Sequence, residues 1–139
     1  MTIYKANITL KAKGFADTHN ITPNLEQILT ESGISEGLCT VILPGSTGGI
    51  TTIEYEPEVL KDMRELLEQI TPQNKHYHHD AAWGDGNGFS HLRSALIGTS
   101  MSIPFSSAKL VLGTWQQVVF IDFDNRARQR TLYVQLLGE

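Results

Sequence analysis

Apolar and polar positions alternate from the start of the chain. In residues 2–12, TIYKANITLKA, the residues Ile3, Ala6, Ile8 and Leu10 stand among Thr, Tyr and Lys. That period of two predicts a half-buried strand, which Gly14 and the polar run Asp17 to Asn20 should break. In TPNLEQILTESG, Leu25, Ile28 and Leu29 share one helical face. Thr22 suits the N-cap, Pro23 the first helical position, and Gly33 the C-terminal stop. Residues 38–43 are nearly all apolar, as in a central strand ended by Pro44 and Gly45, and the β-branched stretch 50–56 resumes the sheet. After Pro57, the residues Val59, Leu60, Met63, Leu66, Leu67 and Ile70 follow helical spacing, with Lys61, Asp62, Arg64, Glu65 and Glu68 opposite.

From His76 to Gly88 no period is visible, which reads as a loop, and long loops in compact domains often carry function. A third helix should begin near Asn87, with Phe89, Leu92 and Leu96 inward and Gly98 at its end. The last forty residues read as three or four antiparallel strands. With no regular βαβ alternation, the expected class is α+β: a largely antiparallel β-sheet with about three short helices.

Composition narrows the function more than the fold. The 139 residues fit one domain, 1–139, and the net charge of −4 argues against a general nucleic-acid binder. The single cysteine, Cys39, excludes an internal disulfide and reads as a small core residue. The longest apolar runs fall far short of the roughly 20 residues a membrane-spanning helix needs. With no signal-peptide pattern at the start, the expectation is a soluble cytoplasmic protein.

Four segments offer chemistry. HYHHDAAWGDGNGFSH holds four of the five histidines with Asp80, Asp85 and Asn87. Asn87 and His91, four apart, would share a helix face, and His79 on a loop could fold back to them. Such groups suit acid–base work or a divalent ion, or else they cap helices and bond backbone carbonyls. In PGSTGGITT, Gly45, Gly48 and Gly49 let backbone N–H groups approach an anion, and Ser46 and Thr47 add hydroxyl donors. No Lys follows the glycines, so this is no P-loop, and a simple turn between strands is the plainer reading. In DNRARQR, Arg126, Arg128 and Arg130 alternate and would project from one strand face, either toward a phosphate or carboxylate or as charge guarding an edge strand. Trp115 and Gln116 follow a glycine at a strand start, where Trp115 is most simply a core or interface residue.

Taken together, YHHDAAWGDGNGFSHLRSALIG, LVLGTWQQVVFIDFDNRARQR and PGSTGGITTIEYE resemble, in order and spacing, the motifs of the YjbQ family, also called secondary thiamine-phosphate synthases. The resemblance covers about residues 37–131, and the N-terminal strand and helix also fit. By position, Tyr77, His79, Asp85, Asn87 and His91 match the central motif. Gly113, Trp115 and Gln116 match the strand motif, and Arg128 and Arg130 the paired arginines, with Ala127 where proline is common. The chain departs where many members carry a histidine before two threonines: here Gly45 precedes Ser46 and Thr47. Of the Asn–Glu pair that often follows, only Glu54 is available.

The resemblance implies an α+β homotrimer, a pocket of polar residues, a metal in some members, and weak thiamine-phosphate synthase activity. The expected function is accordingly an enzyme acting on a small phosphorylated or anionic substrate. His79, Asp85, Asn87 and His91 would be catalytic. Ser46, Thr47, Trp115, Gln116, Arg128 and Arg130 would bind substrate, and His79 and His91 would hold a divalent metal, zinc before magnesium. A metal-assisted hydrolase of a phosphate or amide, and a trimeric small-anion or metabolite-binding protein without turnover, are the alternatives. Neither nucleic acid nor membrane is an expected partner. The homotrimer is also expected from the apolar strand residues Val111, Val118, Phe120 and Ile121, which three short helices would not cover. Asp80 or Asp85 could fix a histidine tautomer. A shared zinc requires nearest ring nitrogens within roughly 5 Å, because each bond to nitrogen spans about 2.0–2.1 Å.

Overall fold

The computed structural model describes residues 1–139. In chain order the elements are β1 (Thr2–Ala12), β2 (Asp17–Asn20), α1 (Thr22–Ser32), β3 (Gly37–Ile42), β4 (Gly48–Glu54), α2 (Pro57–Ile70), α3 (His78–Trp83), α4 (Gly88–Ile97), β5 (Ser100–Ser106), β6 (Lys109–Leu110), β7 (Gln116–Asp122) and β8 (Arg128–Gly138). The strands form a five-stranded sheet in the order β1-β8-β3-β5-β6 and a three-stranded sheet in the order β2-β7-β4. Every pairing is antiparallel, as the α+β reading expects. No helix is long and apolar enough to cross a membrane.

The sheets share the main core. Val41, Leu132, Val134 and Leu136 from the large sheet, Ile50, Val118 and Phe120 from the small one, and Leu25, Ile28 and Leu29 of α1 lie in one buried cluster. The opposite face of β7 supplies Val119 and Ile121, which with Phe123 and Leu67 of α2 form a second, smaller cluster. Strand β7 is therefore apolar on both faces, while β8 alternates and buries only one. Val118, Phe120 and Ile121 are consumed by the protein's own core; of the four residues invoked for a trimer, only Val111 is exposed.

Several local expectations are corrected. The polar run Asp17–Asn20 is a strand, β2, held by its ladder to Val119–Asp122 rather than by apolar side chains. Thr22 lies inside α1. Ile21 is the N-cap without a side-chain bond, Asn20 Oδ1 accepts from the Thr22 N–H, and Thr22 Oγ1 accepts from the Val118 N–H of β7. Gly33 closes α1 in the left-handed region, as expected.

Helix α2 begins at Pro57 with Glu56 as its side-chain cap, yet only Leu67 of its apolar stripe is buried; Leu66 and Ile70 face outward. Helix α3 occupies part of the stretch read as loop. Helix α4 turns Phe89, Ser90, Arg93 and Ser94 inward, leaving Leu92 and Leu96 exposed. The fully buried Arg93 decides that face: its guanidinium donates to Thr71 O and pairs with Glu68 at 2.9 Å, fastening α4 to the end of α2. The last forty residues hold four strands, β5 to β8, as expected, and the turn between β6 and β7 leaves Trp115 75% exposed, so Trp115 is no core residue. Strand β8 pairs with β1 along its whole length but with β3 only over Tyr133–Gly138, so Arg128 and Arg130 stand where one side of β8 has no neighbouring strand, and there Arg130 is buried rather than solvated.

Candidate functional site

Two elements that fold against each other build the site. Tyr77 precedes α3, and its hydroxyl donates to Pro72 O at 2.7 Å. Asp80, in the first turn of α3, accepts from the Gly88 N–H at 2.9 Å. That carboxylate satisfies one of the free donors at the start of α4. Asp80 is thus committed to joining the two helices and does not orient a histidine, whereas Asp85 does.

His79 Nε2 lies 3.2 Å from Asp85 Oδ2, and the other Asp85 oxygen accepts from the Asn87 N–H at 3.2 Å. The Asn87 N–H and, after it, His79 hold the Asp85 carboxyl below the usual carboxylate range. His91 stands one turn into α4, with its ring edge-on to that of His79 and the centroids 4.6 Å apart. One donor atom from each of His79, Asp85 and His91 lies within 4.8 Å of the others. The two histidines therefore meet the spacing a shared ion demands.

The tautomer of His91 follows from its partner. Its Nδ1 lies 2.9 Å from the Ser46 carbonyl, which can only accept, so Nδ1 carries a proton and in the neutral ring the lone pair lies on Nε2. Two imidazoles and a carboxylate on an open face match the donor set of a three-ligand zinc site with a fourth position free. A shallow depression of about 210 Å³ next to the pair is lined by Tyr77, His78, Gly88 and Leu92.

Asn87 does not share the outward face of His91. It is the N-cap of α4 and buried, accepting from Ser90 Oγ at 2.7 Å and donating to Asp124 Oδ1 at 3.4 Å. It thereby links the histidine cluster to a second group. Asp122 and Asp124 are buried at the end of β7 and just beyond it. Arg130 is buried beside them, with Nε 3.5 Å from Asp122 Oδ2 and Nη1 3.8 Å from Asp124 Oδ2. Burial raises the Asp122 pKa and lowers that of Arg130, since each loses water. The Asp122 Oδ2 and Arg130 Nε atoms have no hydrogen-bond partner. Their contact is ionic, without hydrogen-bond geometry.

Arg130 Nη2 donates to Thr47 Oγ1 at 2.9 Å, and Arg128, 43% exposed, reaches Asp124 through Nη1 at 3.2 Å. Gly48 makes this approach possible, because a Cβ there would come within 2.7 Å of both Leu43 and Phe120 and 3.1 Å of Arg130 Nη2. A cavity of about 420 Å³ lies between residues 43–47 and 128–131.

Ser46, Thr47, Arg128 and Arg130 are thus gathered at one cavity, and Ser46 connects it to His91. Trp115 and Gln116 are not part of it. They line a separate groove with Thr52 and Glu54, where Gln116 bonds Thr52 and the Gly113 N–H. Asp122 and Asp124 were absent from the expected site. Their signal was present in VVFIDFDN, two acids spaced by two in an otherwise apolar strand. Such a pattern calls for buried cationic partners.

Residues 6–139 match the family model described as UPF0047 protein YjbQ-like. A UPF0047 protein of Methanocaldococcus jannaschii is 34% identical over 121 residues, covering 86% of this chain and 84% of that one. The UPF0047 protein YugU of Bacillus subtilis is 34% identical over 120 residues, covering 86% and 88%. Among solved structures, a YbjQ-like protein of unknown function from Sulfolobus solfataricus superposes with a TM-score of 0.92 at 27% identity, over 99% of both chains. A yjbq/upf0047 family protein from Clostridium acetobutylicum superposes at 0.87 and 32% identity, over 95% and 99%.

Proposed function

The chain belongs to the YjbQ-like UPF0047 family, and from that premise we propose that His79, Asp85 and His91 form the reaction centre of an enzyme acting on a small phosphorylated or anionic molecule. The observation that carries this reading is the convergence of three donor atoms within 4.8 Å. Beside it, the His91 tautomer is set by the Ser46 carbonyl. Nε2 of His91 is free to take a proton or to ligate, and Asp85 orients His79. The donor set suits zinc, held by His79, His91 and Asp85. A bound divalent ion would supply Lewis acidity toward a phosphoryl or carbonyl oxygen.

The finer reading is a thiamine-phosphate synthase-like transfer. A thiazole ring nitrogen forms a bond to the pyrimidine methylene as the methylene–oxygen bond breaks, and pyrophosphate leaves with the electron pair. Arg128 and the donors of the Ser46–Thr47 loop would meet the charge on that leaving group. Purified protein assayed with the two heterocyclic phosphates should form thiamine phosphate, and a chelator or His91→Ala should abolish it. Product equal to that of His91→Ala sinks this reading.

A second reading is a metal-assisted hydrolase of a phosphate or amide, supported by the exposure of His79 and Asp85, 34% and 48%, which admits water. Phosphate or amine release without thiamine phosphate selects it. A metabolite that co-purifies and is never turned over selects a binding protein instead. The assembly we propose is a homotrimer, and a monomer mass by light scattering at micromolar concentration contradicts it.

A further inference from the structure

We infer that the cavity between the Pro44–Thr47 loop and the start of β8 is an anion-anchoring subsite, in which Arg128 and the Ser46–Thr47 loop hold a phosphoryl group and buried Arg130 positions Thr47. The inference rests on the reading of His79, Asp85 and His91 as the reaction centre, and it names how a substrate would be held there.

Three observations lead to it. The first is a set of unused donors. The backbone N–H groups of Ser46 and Thr47 donate to no protein atom, although Thr47 is buried, and the Ser46 hydroxyl is likewise unpaired. Ser46 is exposed and Thr47 is buried as a residue beside it, so these N–H groups, which have no protein acceptor, stand at the cavity wall where an acceptor can reach them. Successive backbone N–H groups are a recurring way to hold an anion.

The second observation separates the two arginines. Arg130 is 3% exposed and already engaged with Asp122, Asp124 and Thr47. Arg128 is 43% exposed and uses only Nη1, toward Asp124, leaving its other guanidinium donors for the cavity. Asp122 and Asp124 together offset the charges of Arg128 and Arg130. Attraction therefore arises from directed donors rather than from net positive charge, which favours a single phosphoryl group over any polyanion.

The third observation is adjacency. Ser46 lines the anion cavity while its carbonyl holds His91, and the next residue, Thr47, is held by Arg130. Two consecutive residues thus join the anchor to the reaction centre, and the Asn87–Asp124–Arg128 chain joins them again. A volume of about 420 Å³ lies in the range of small-molecule pockets and leaves room beyond the anchored group.

The test uses inorganic phosphate as the probe, titrated into the whole protein and followed by backbone amide resonances. Phosphate should shift the Ser46 and Thr47 amides first. Arg128→Gln should weaken binding at least about tenfold, the loss of one charge-assisted hydrogen bond, with an unchanged melting temperature. His79→Ala, which removes a reaction-centre residue that makes no bond to the Ser46–Thr47 loop, should retain phosphate affinity within about threefold, a difference well under one tenfold step. Shifts confined to residues 77–92, or wild-type affinity in Arg128→Gln, overturn the subsite. Loss of phosphate binding in His79→Ala places the anion at the histidines and also overturns it. Cobalt binding in the same samples, read by visible absorbance, reports separately on the reaction centre, so the two readings can fail independently.

Discussion

The histidine cluster and the carboxylate–guanidinium cluster lie two hydrogen bonds apart and are built in opposite ways. His79, Asp85 and His91 are partly or largely open to solvent, with His79 and Asp85 held by bonds within one stretch of chain and His91 by the Ser46 carbonyl. Asp122, Asp124 and Arg130 are almost fully buried, and their partners come from β7, β8 and the β3–β4 loop. Open groups can exchange protons, ions and ligands at little cost to the fold. Buried charges cannot, because each is stable only while the others stay in place. One cluster is therefore suited to chemistry, and the other to fixing where Thr47, Arg128 and Asn87 sit around it.

The largest test of this contrast is Arg130→Ala. It leaves Asp122 without its counter-charge in a dry site, and truncation of one partner of a buried ion group costs about 3–5 kcal/mol. Urea unfolding should show that loss, with the amides of Ser46 and Thr47 displaced in the folded fraction. A loss below about 1 kcal/mol, the scale of an exposed ion pair, would erase the difference between the two clusters.

Next is Asn87→Ala, at the joint. Ser90 Oγ keeps its bond to the Asn87 carbonyl, and Asp124 loses one donor. The expected cost is about 1–2 kcal/mol, toward the lower end for a buried group left short of a partner. His91 should also move relative to Asp124, which a crystal structure of the variant would report. Stability equal to wild type would mean that the clusters are adjacent but mechanically independent.

The two clusters also differ in how far the sequence exposed them. His79, Asp85, Asn87 and His91 fall within thirteen residues, so local spacing was enough to propose that they meet. The pairing of Ser46 and Thr47 with Arg128 and Arg130 depends on β8 lying beside β3 and on Gly48 allowing close approach, neither of which has a local signature. Asp122 and Asp124 left a local trace in VVFIDFDN, but their cationic partner, Arg130, follows only from the tertiary arrangement. At the level of elements, long strands and helices with clear periods were legible. The strand β2 was not, because its four residues carry no apolar pattern and it is held by backbone pairing and a side-chain bond from Asn20 to Gln117. Helix α3 was not, because it spans six residues and buries none of them. The exposed face of α4 was misassigned because a buried Arg93, satisfied by Thr71 and Glu68, took a place that periodicity reserves for leucine.

His91→Ala should change stability by no more than about 0.5 kcal/mol, as expected for a surface substitution. The same variant should lose cobalt binding at least about tenfold. Equilibrium unfolding and visible absorbance on one preparation measure both. A loss of several kcal/mol would make His91 a structural residue and remove the contrast from that side.

The smallest effect is the sharpest, because it predicts opposite signs for two aspartates in one molecule. Asp85 is held below the ordinary carboxylate range by the Asn87 N–H and then by His79. The folded protein therefore binds fewer protons there than the unfolded chain does. Its contribution to stability is present above the unfolded pKa and is lost as pH falls through the folded one. Asp122 is raised by burial, against the pull of the Asp124 N–H and Arg130. The folded protein binds more protons there, so that contribution weakens as pH rises from the unfolded value through the folded one. Carboxyl carbon resonances followed through an acid titration should give Asp85 a midpoint below that of a free aspartate and Asp122 one above it. His79→Ala should move the Asp85 midpoint upward but leave it below the free value, since the Asn87 N–H is the larger cause and remains. Midpoints on the same side of the free value would show that the two carboxylates share one kind of environment, and the division between an open and a buried cluster would fall with them.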